Sequence, residues 1–268
     1  MKSDREFYAG VDMGSVNIKA VIVNDQRIVS SCILASGGNY TGVAKDALNR
    51  VLSQVGITYF QLAGIVVTGM GSERAPFVAS RFSDITCQAI GCHCLFPSAR
   101  TVIDIGGQFT KATRISARGH VRDFLTSEKC ATGSGRFLQV IARILQIGLE
   151  DIGALSLESH NPVKFSTNCA VFAESEVISR LAEGALPRDI LAGVHRSMAS
   201  KVSMLLKRLK LDPDVVLTGG AAADTGLIAA IKAAVGLEVI VPDVARFTAA
   251  FGAACLAENQ LGIPDAID

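Results

Sequence analysis

One element occurs twice in this chain and constrains its fold more than any other. It is a strand that ends at an aspartate, turns on glycine and returns as a second strand. The first copy runs Phe7-Tyr8-Ala9-Gly10-Val11-Asp12, turns through Met13-Gly14-Ser15 and returns from Ile18 to Val23. The second runs Thr101-Val102-Ile103-Asp104-Ile105, turns at Gly106-Gly107-Gln108 and returns from Phe109 to Ile115. Apolar runs joined by a Gly/Ser turn read as β-hairpins. Each hairpin leads into a third strand, Arg27 to Leu34 and about His120 to Thr126. Helical periodicity follows, over Tyr40–Gln54 with Val43, Ala47, Leu48 and Val51 on one face, and from Gly135 to about Gln146. A buried strand closes each copy: Gly64 to Thr68 before Gly69-Met70-Gly71, and Val215 to Thr218 before Gly219-Gly220. A duplicated βββαβ unit accounts for the pattern. The 268 residues leave room for one large domain or two ordinary ones.

Further helices are predicted from Cys169 to Leu181, from Asp189 to about Leu209, over Gly226–Val235 and over Thr248–Asn259. Apolar residues make up 49% of the chain and charged residues 19%, enough for a sizeable core. The 26 basic and 25 acidic residues nearly cancel, so the basic excess of a nucleic-acid binder is missing. No apolar run approaches a membrane span, and Met1–Glu6 lacks the apolar core of a leader. A cytoplasmic protein is expected, with no nucleic-acid or membrane partner. Its seven cysteines are then thiols or ligands rather than disulfides.

Glycine in a turn lets the backbone approach a ligand, and turn N–H groups can point at phosphate oxygens. An aspartate at the preceding strand end suits hydrated Mg²⁺, a hard cation. Two such hairpins would clamp the β- and γ-phosphates and their metal, with Asp12 and Asp104 as the acids. Each hairpin alone is better explained by Asp as a turn former. The two together, with Thr68-Gly69-Met70-Gly71 and Thr218-Gly219-Gly220 at further strand ends, favour the clamp. Lys19 stands just after the first turn, within reach of a phosphate, although a lone lysine is usually solvated. There is no GxxxxGK[ST] loop.

Cys130 and Cys169 each stand just before a predicted helix. A helix N-terminus presents unpaired N–H groups and a positive dipole end, which favour a thiolate or an iron–sulfur cluster. Two cysteines supply half the ligands of a cubane cluster, so a symmetric dimer would complete the set. The alternative is two buried structural cysteines. Cys87-x4-Cys92-His93-Cys94 has metal-like spacing but reads better as buried or partly exposed thiols, and Cys32 and Cys255 read as core. Glu174 and Glu176 either complement a helix dipole or orient a water, with the first preferred. His195 reads as a satisfied structural residue.

The set of turns resembles the actin/Hsp70/sugar-kinase superfamily of ATPases. That resemblance implies an α/β fold of two ribonuclease-H-like domains with ATP in the cleft. The first domain would span 1–100 and be rejoined by a C-terminal helix at 249–268; the second would span 101–248. It also implies phosphate contacts from Gly14, Ser15, Lys19, Gly106, Gly107 and Gln108, and an adenosine loop at Thr218, Gly219 and Gly220. The cysteine segments Lys129–Leu138 and Cys169–Ile178 are similar to those of the activators of 2-hydroxyacyl-CoA dehydratases. That family includes the ATPase subunits of ATP-dependent benzoyl-CoA reductases. Val102–Gln108, Gly193–Ser200 and Thr218–Ala221 match as well, and the resemblance runs from about Tyr8 to Ala257. It implies a homodimer or pseudo-symmetric heterodimer with one [4Fe-4S] cluster at the interface, held by Cys130 and Cys169. ATP and Mg²⁺ would drive electrons from a ferredoxin-like donor to the acyl-CoA dehydratase or benzoyl-CoA reductase catalytic subunits. One departure is Phe109, where activators commonly carry Asp; it points toward a reductase subunit. A small-molecule kinase and an actin-type assembly protein are the competing readings, with the cysteines incidental.

Overall fold

The computed structural model describes residues 6–127, 133–165 and 170–259. The chain divides into two compact units, Met1–Arg100 with Ile115–Arg122 and Phe247–Asp268, and Thr101–Arg114 with Asp123–Arg246.

The first unit opens with β1 (Phe7–Met13), β2 (Asn17–Asn24) and β3 (Arg27–Ala35), an antiparallel meander. Helix α1 (Tyr40–Val55) crosses to β4 (Leu62–Thr68), which lies parallel to β1. The short β5 (Ser80–Arg81) and α2 (Asp84–Leu95) follow, giving the sheet order β3-β2-β1-β4-β5. Successive side chains leave a strand on opposite faces. Ala9, Val11 and Met13 of β1, with Ile18, Ala20 and Ile22 of β2, pack beneath α1 against Ala44, Leu48 and Val51. The intervening Tyr8, Val21, Val23 and Val66 pack on the other face against the C-terminal helix. Both faces are buried, so these strands read as continuous apolar runs.

The second unit repeats the plan. β6 (Thr101–Ile105), β7 (Thr110–Ile115) and β8 (Val121–Thr126) precede α3 (Gly135–Leu145). Three helices are then inserted: α4 (Ile152–Leu157), α5 (Ala170–Ala182) and α6 (Pro187–Leu209). β9 (Val215–Thr218) runs parallel to β6, followed by α7 (Thr225–Val235) and β10 (Val239–Ile240). The sheet order is β10-β9-β6-β7-β8, the order of the first sheet read in reverse. A single cluster built on Ile103, Ile105, Phe137, Ile141, Ile190, Met198 and Leu206 forms its core.

Helix α8 (Thr248–Asn259) belongs to the first unit. Most of its residues are small because it lies directly on backbone. A Cβ at Gly10 of β1 would fall 1.9 Å from the Ala250 carbonyl, and one at Gly252 would fall 1.8 Å from the Cys87 carbonyl of α2. Apolar periodicity does not mark helix α2 in the sequence. Its Cys87, Ala89, Gly91 and Cys92 are small and buried, so it lacks the large apolar stripe that marks a helix in sequence. Its N-cap is ordinary, Ser83 accepting from the Thr86 N–H. Helix α6 starts two residues before the predicted Asp189, with Pro187 in its first turn, a position that suits proline.

Candidate functional site

In the first unit Asp12 is the penultimate residue of β1 and is buried, 8% exposed. Its cross-strand partner on β2 is Lys19, and the lysine Nζ lies 2.7 Å from Asp12 Oδ2. Lys19 is therefore an ion-pair partner and not a solvated side chain. On the other side Asp12 pairs with Thr68 of β4, and Gly69 follows with φ 87. A Cβ at Gly69 would sit 2.6 Å from Asp12 Oδ1, so only glycine lets the strand end close over the carboxylate. The turn after Asp12 is anchored through its carbonyls. Met13 C=O accepts from Gly71 N–H (2.9 Å), Gly14 C=O from Ser36 Oγ (2.6 Å) and Val16 C=O from Ser36 N–H (2.9 Å). In a trans peptide the following N–H points the opposite way. The Gly14, Ser15 and Asn17 N–H groups are thus turned away from the groups that anchor the turn.

The second unit repeats this constellation. Asp104, half-buried near the end of β6, stands opposite Lys111 of β7 and Thr218 of β9. Gly219 follows with φ 91, and a Cβ there would lie 2.5 Å from Asp104 Oδ1 and 2.4 Å from the Ile105 carbonyl. Lys111 is the counterpart of Lys19 and has no place in the sequence reading. The signal was available: Asp and Lys are seven positions apart in both copies, at 12 and 19 and at 104 and 111. The turn closes by Gly106 N–H donating to the Phe109 carbonyl at 3.0 Å. Phe109, the position of the missing acid, thus supplies a backbone acceptor that any residue could offer. The carbonyls of Gly106 and Gly107 accept from Gly135 N–H (2.9 Å) and Arg136 N–H (3.1 Å), the first two residues of α3. This aims the Gly107 and Gln108 N–H groups away from α3. Ser134 caps α3 through Phe137 N–H, and Thr110 Oγ1 donates to the Gly133 carbonyl. The Gly219 N–H donates to the Ala245 carbonyl at 3.1 Å, and a single 3-10 turn, Gly220–Ala223, carries the chain to α7. A Cβ added at Gly220 would meet nothing within 4 Å.

Cys130 and Cys169 lie outside the described residues. The helices that follow them are described, and α3 and α5 pack on each other, with Phe137, Ile141, Ala173 and Val177 in the shared core. Glu176 lies 3.3 Å from Arg180 one turn on, so it is engaged in an ion pair. The Cys87–Cys94 group lies along α2, and among the described residues no cluster of three or more metal-ligating side chains occurs. Cys32, Cys87 and Cys255 are buried. Burial pushes the Cys87 thiol up to about 12. Cys255, hydrogen-bonded to Cys94, is raised, and Cys94 is correspondingly lowered. No helix among the described residues is long and apolar enough to cross a membrane.

Residues 9–257, nearly the whole chain, match the signature of one protein family. The chain belongs to the BadF/BadG/BcrA/BcrD ATPase family. It is 40% identical to the 2-hydroxyisocaproyl-CoA dehydratase activator of Clostridioides difficile, over 94% of each chain. It is 35% identical to a benzoyl-CoA reductase subunit of Thauera aromatica, over 82% of this chain and 80% of that one. Among solved structures, the activator of the 2-hydroxyisocaproyl-CoA dehydratase from Clostridium difficile with bound ADPNP superposes with a TM-score of 0.90 at 37% identity. That match covers 98% of this chain and 100% of the other. A ROK family glucokinase from Streptomyces griseus matches with a TM-score of 0.60 at 16% identity, covering 94% and 99%. At that identity it shows a common α/β fold and nothing about kinase chemistry.

Proposed function

We propose that this member of the BadF/BadG/BcrA/BcrD ATPase family hydrolyses ATP to drive low-potential electrons into a partner acyl-CoA enzyme. The partner is a 2-hydroxyacyl-CoA dehydratase or a benzoyl-CoA reductase catalytic subunit, as the names of its relatives suggest. The two units are read as ribonuclease-H-like domains of a cytoplasmic dimer fed by a ferredoxin-like donor. Asp12 and Asp104 would be the acids that hold hydrated Mg²⁺ on the ATP phosphates, where the cation would supply charge neutralisation for attack of water on the γ-phosphorus with ADP as the leaving group. The outward N–H groups of Gly14, Ser15, Gly107 and Gln108 face phosphate oxygens, with Lys19 and its counterpart Lys111 beside the acids. Thr218, Gly219 and Gly220 receive the adenosine.

Cys130 and Cys169 fit half of a [4Fe-4S] donor set, the other half coming from a second chain. When bound, the cluster supplies one-electron transfer at low potential. The observation that supports coupling is the pair of backbone hydrogen bonds from Gly135 and Arg136 to the Gly106-Gly107 turn. The turn assigned to phosphate and the start of the helix after Cys130 share hydrogen bonds, so a shift of one strains its bonds to the other.

The test is iron release. Reduced, anaerobically purified protein should contain iron and acid-labile sulfide, and MgATP should speed removal of that iron by a chelator. Asp104→Ala should abolish the acceleration while retaining the cluster. Protein without iron, or equal release rates with and without MgATP, refutes the coupling.

A further inference from the structure

His195 lies in the Gly193–Ser200 stretch singled out by sequence, and the assignments above give it no task. It projects from α6 into the interior, 1% exposed. Its Nδ1 is 2.9 Å from Ser156 Oγ of α4, and Ser156 in turn donates to the Gly153 carbonyl at 2.8 Å. Its Nε2 is 3.0 Å from Asp224 Oδ2, off the line of a good hydrogen bond. Neither of those two atoms has a hydrogen-bond partner among the described residues. Glycines wall the group in. A Cβ at Gly226 would fall 1.9 Å from Ser156 Oγ and 2.8 Å from His195 Nδ1, and one at Gly153 would fall 2.7 Å from Asp224 Oδ1. The imidazole is thereby limited to Ser156 and Asp224.

Asp224 is the last residue before α7, which it caps by accepting from Leu227 N–H at 2.9 Å. Its own N–H donates to the Ala221 carbonyl (3.1 Å), and Ala222 N–H donates to the Gly219 carbonyl (3.3 Å), closing the Gly220–Ala223 turn. Gly219 rests on Asp104. A continuous path therefore runs from the imidazole through Asp224 and the turn to the strand end beside the acid. We propose that His195 is a positioning residue for the nucleotide: it fixes Asp224, and through it the Gly219–Ala223 loop that receives the adenosine. The proposal rests on the assignment of that loop to nucleotide.

The test compares His195→Asn and His195→Gln in the full chain. Asparagine places its amide where Nδ1 stood and keeps Ser156 company but abandons Asp224; glutamine reaches the Nε2 position and brings an amide N–H to within reach of Asp224. His195→Asn should weaken MgADP binding, read by titration calorimetry, and raise KM for ATP by about tenfold with kcat within about threefold, the pattern of lost uniform binding. His195→Gln should recover both to within about threefold of wild type. Unchanged MgADP affinity in His195→Asn overturns the proposal. So does equal impairment of the two variants with kcat and melting temperature falling together, because that is the signature of a merely structural residue. Gly220→Val separates this from failure of the underlying assignment. Its Cβ meets nothing within 4 Å, circular dichroism verifies that the variant folds, and MgADP binding should be lost. If Gly220→Val binds MgADP normally, the loop assignment itself falls. If it loses binding while His195→Asn does not, only the positioning role falls.

Discussion

Gly219→Ala is the sharpest structural perturbation available. Residue 219 has φ 91 and ψ 179, a conformation open essentially to glycine alone, and forcing alanine into it costs about 1–3 kcal/mol. The new Cβ would also stand 2.4 Å from the Ile105 carbonyl and 2.5 Å from Asp104 Oδ1. The carboxylate can swing aside, but the carbonyl belongs to the β6 backbone and cannot move without disturbing the sheet. Overpacking of this kind adds about 1–3 kcal/mol. The combined loss of about 2–6 kcal/mol is a large fraction of the ~5–15 kcal/mol that holds an ordinary domain together. Gly220→Ala is the matched control. Its Cβ meets nothing within 4 Å, so stability should stay within about 1 kcal/mol of wild type. Denaturant unfolding at equilibrium measures both. Because the first unit repeats the geometry, Gly69→Ala, with its Cβ 2.6 Å from Asp12 Oδ1, should lose a similar amount. The reasoning is refuted if Gly219→Ala lies within about 0.5 kcal/mol of wild type, or if Gly220→Ala is destabilised as much.

Three further outcomes are expected. Lys19→Met removes the partner of a carboxylate that is 11% exposed, so unfolding should show a loss of about 1–3 kcal/mol, part of which Asp12→Asn restores in the double variant. Cys87, held up to about 12, keeps its proton in the folded protein while the unfolded thiol loses it near ~8.5. Its contribution is therefore complete below that unfolded value and is lost as pH rises toward 12, and the stability deficit of Cys87→Ala should narrow between pH ~9 and ~12. Cys130→Ser and Cys169→Ser should each remove essentially all protein-bound iron, whereas Cys32→Ser and Cys255→Ser should leave iron content and visible absorbance at wild-type levels.

The hairpins and their acids were legible because a strand, an acid and a glycine adjacent in sequence stay adjacent in space. The helices with one apolar face, such as α1 with Ala44, Leu48 and Val51, were legible for the same local reason. Helix α2 was not, since its contact with α8 is made by glycine backbone at Gly91 and Gly252 and leaves no apolar period. Lys111 was overlooked because its meaning depends on the register of β6 against β7, although the equal spacing of the two Asp–Lys pairs encodes it.

Local chemistry in the sequence alone determined the duplicated α/β plan, the two Asp–Gly turns and the family. Tertiary structure alone decided what those turns touch. Gly69 and Gly219 lie on Asp12 and Asp104 because a parallel strand, tens of residues away along the chain, ends beside each acid. The first residues of α3 hold the Gly106-Gly107 turn by backbone hydrogen bonds, which leave no mark on residue type. His195 finds Asp224 only because α6 and α7 pack together around glycines small enough to enclose an imidazole. A side chain's partner depends on where the rest of the chain comes to lie, and that is fixed by packing between elements that sequence spacing does not connect.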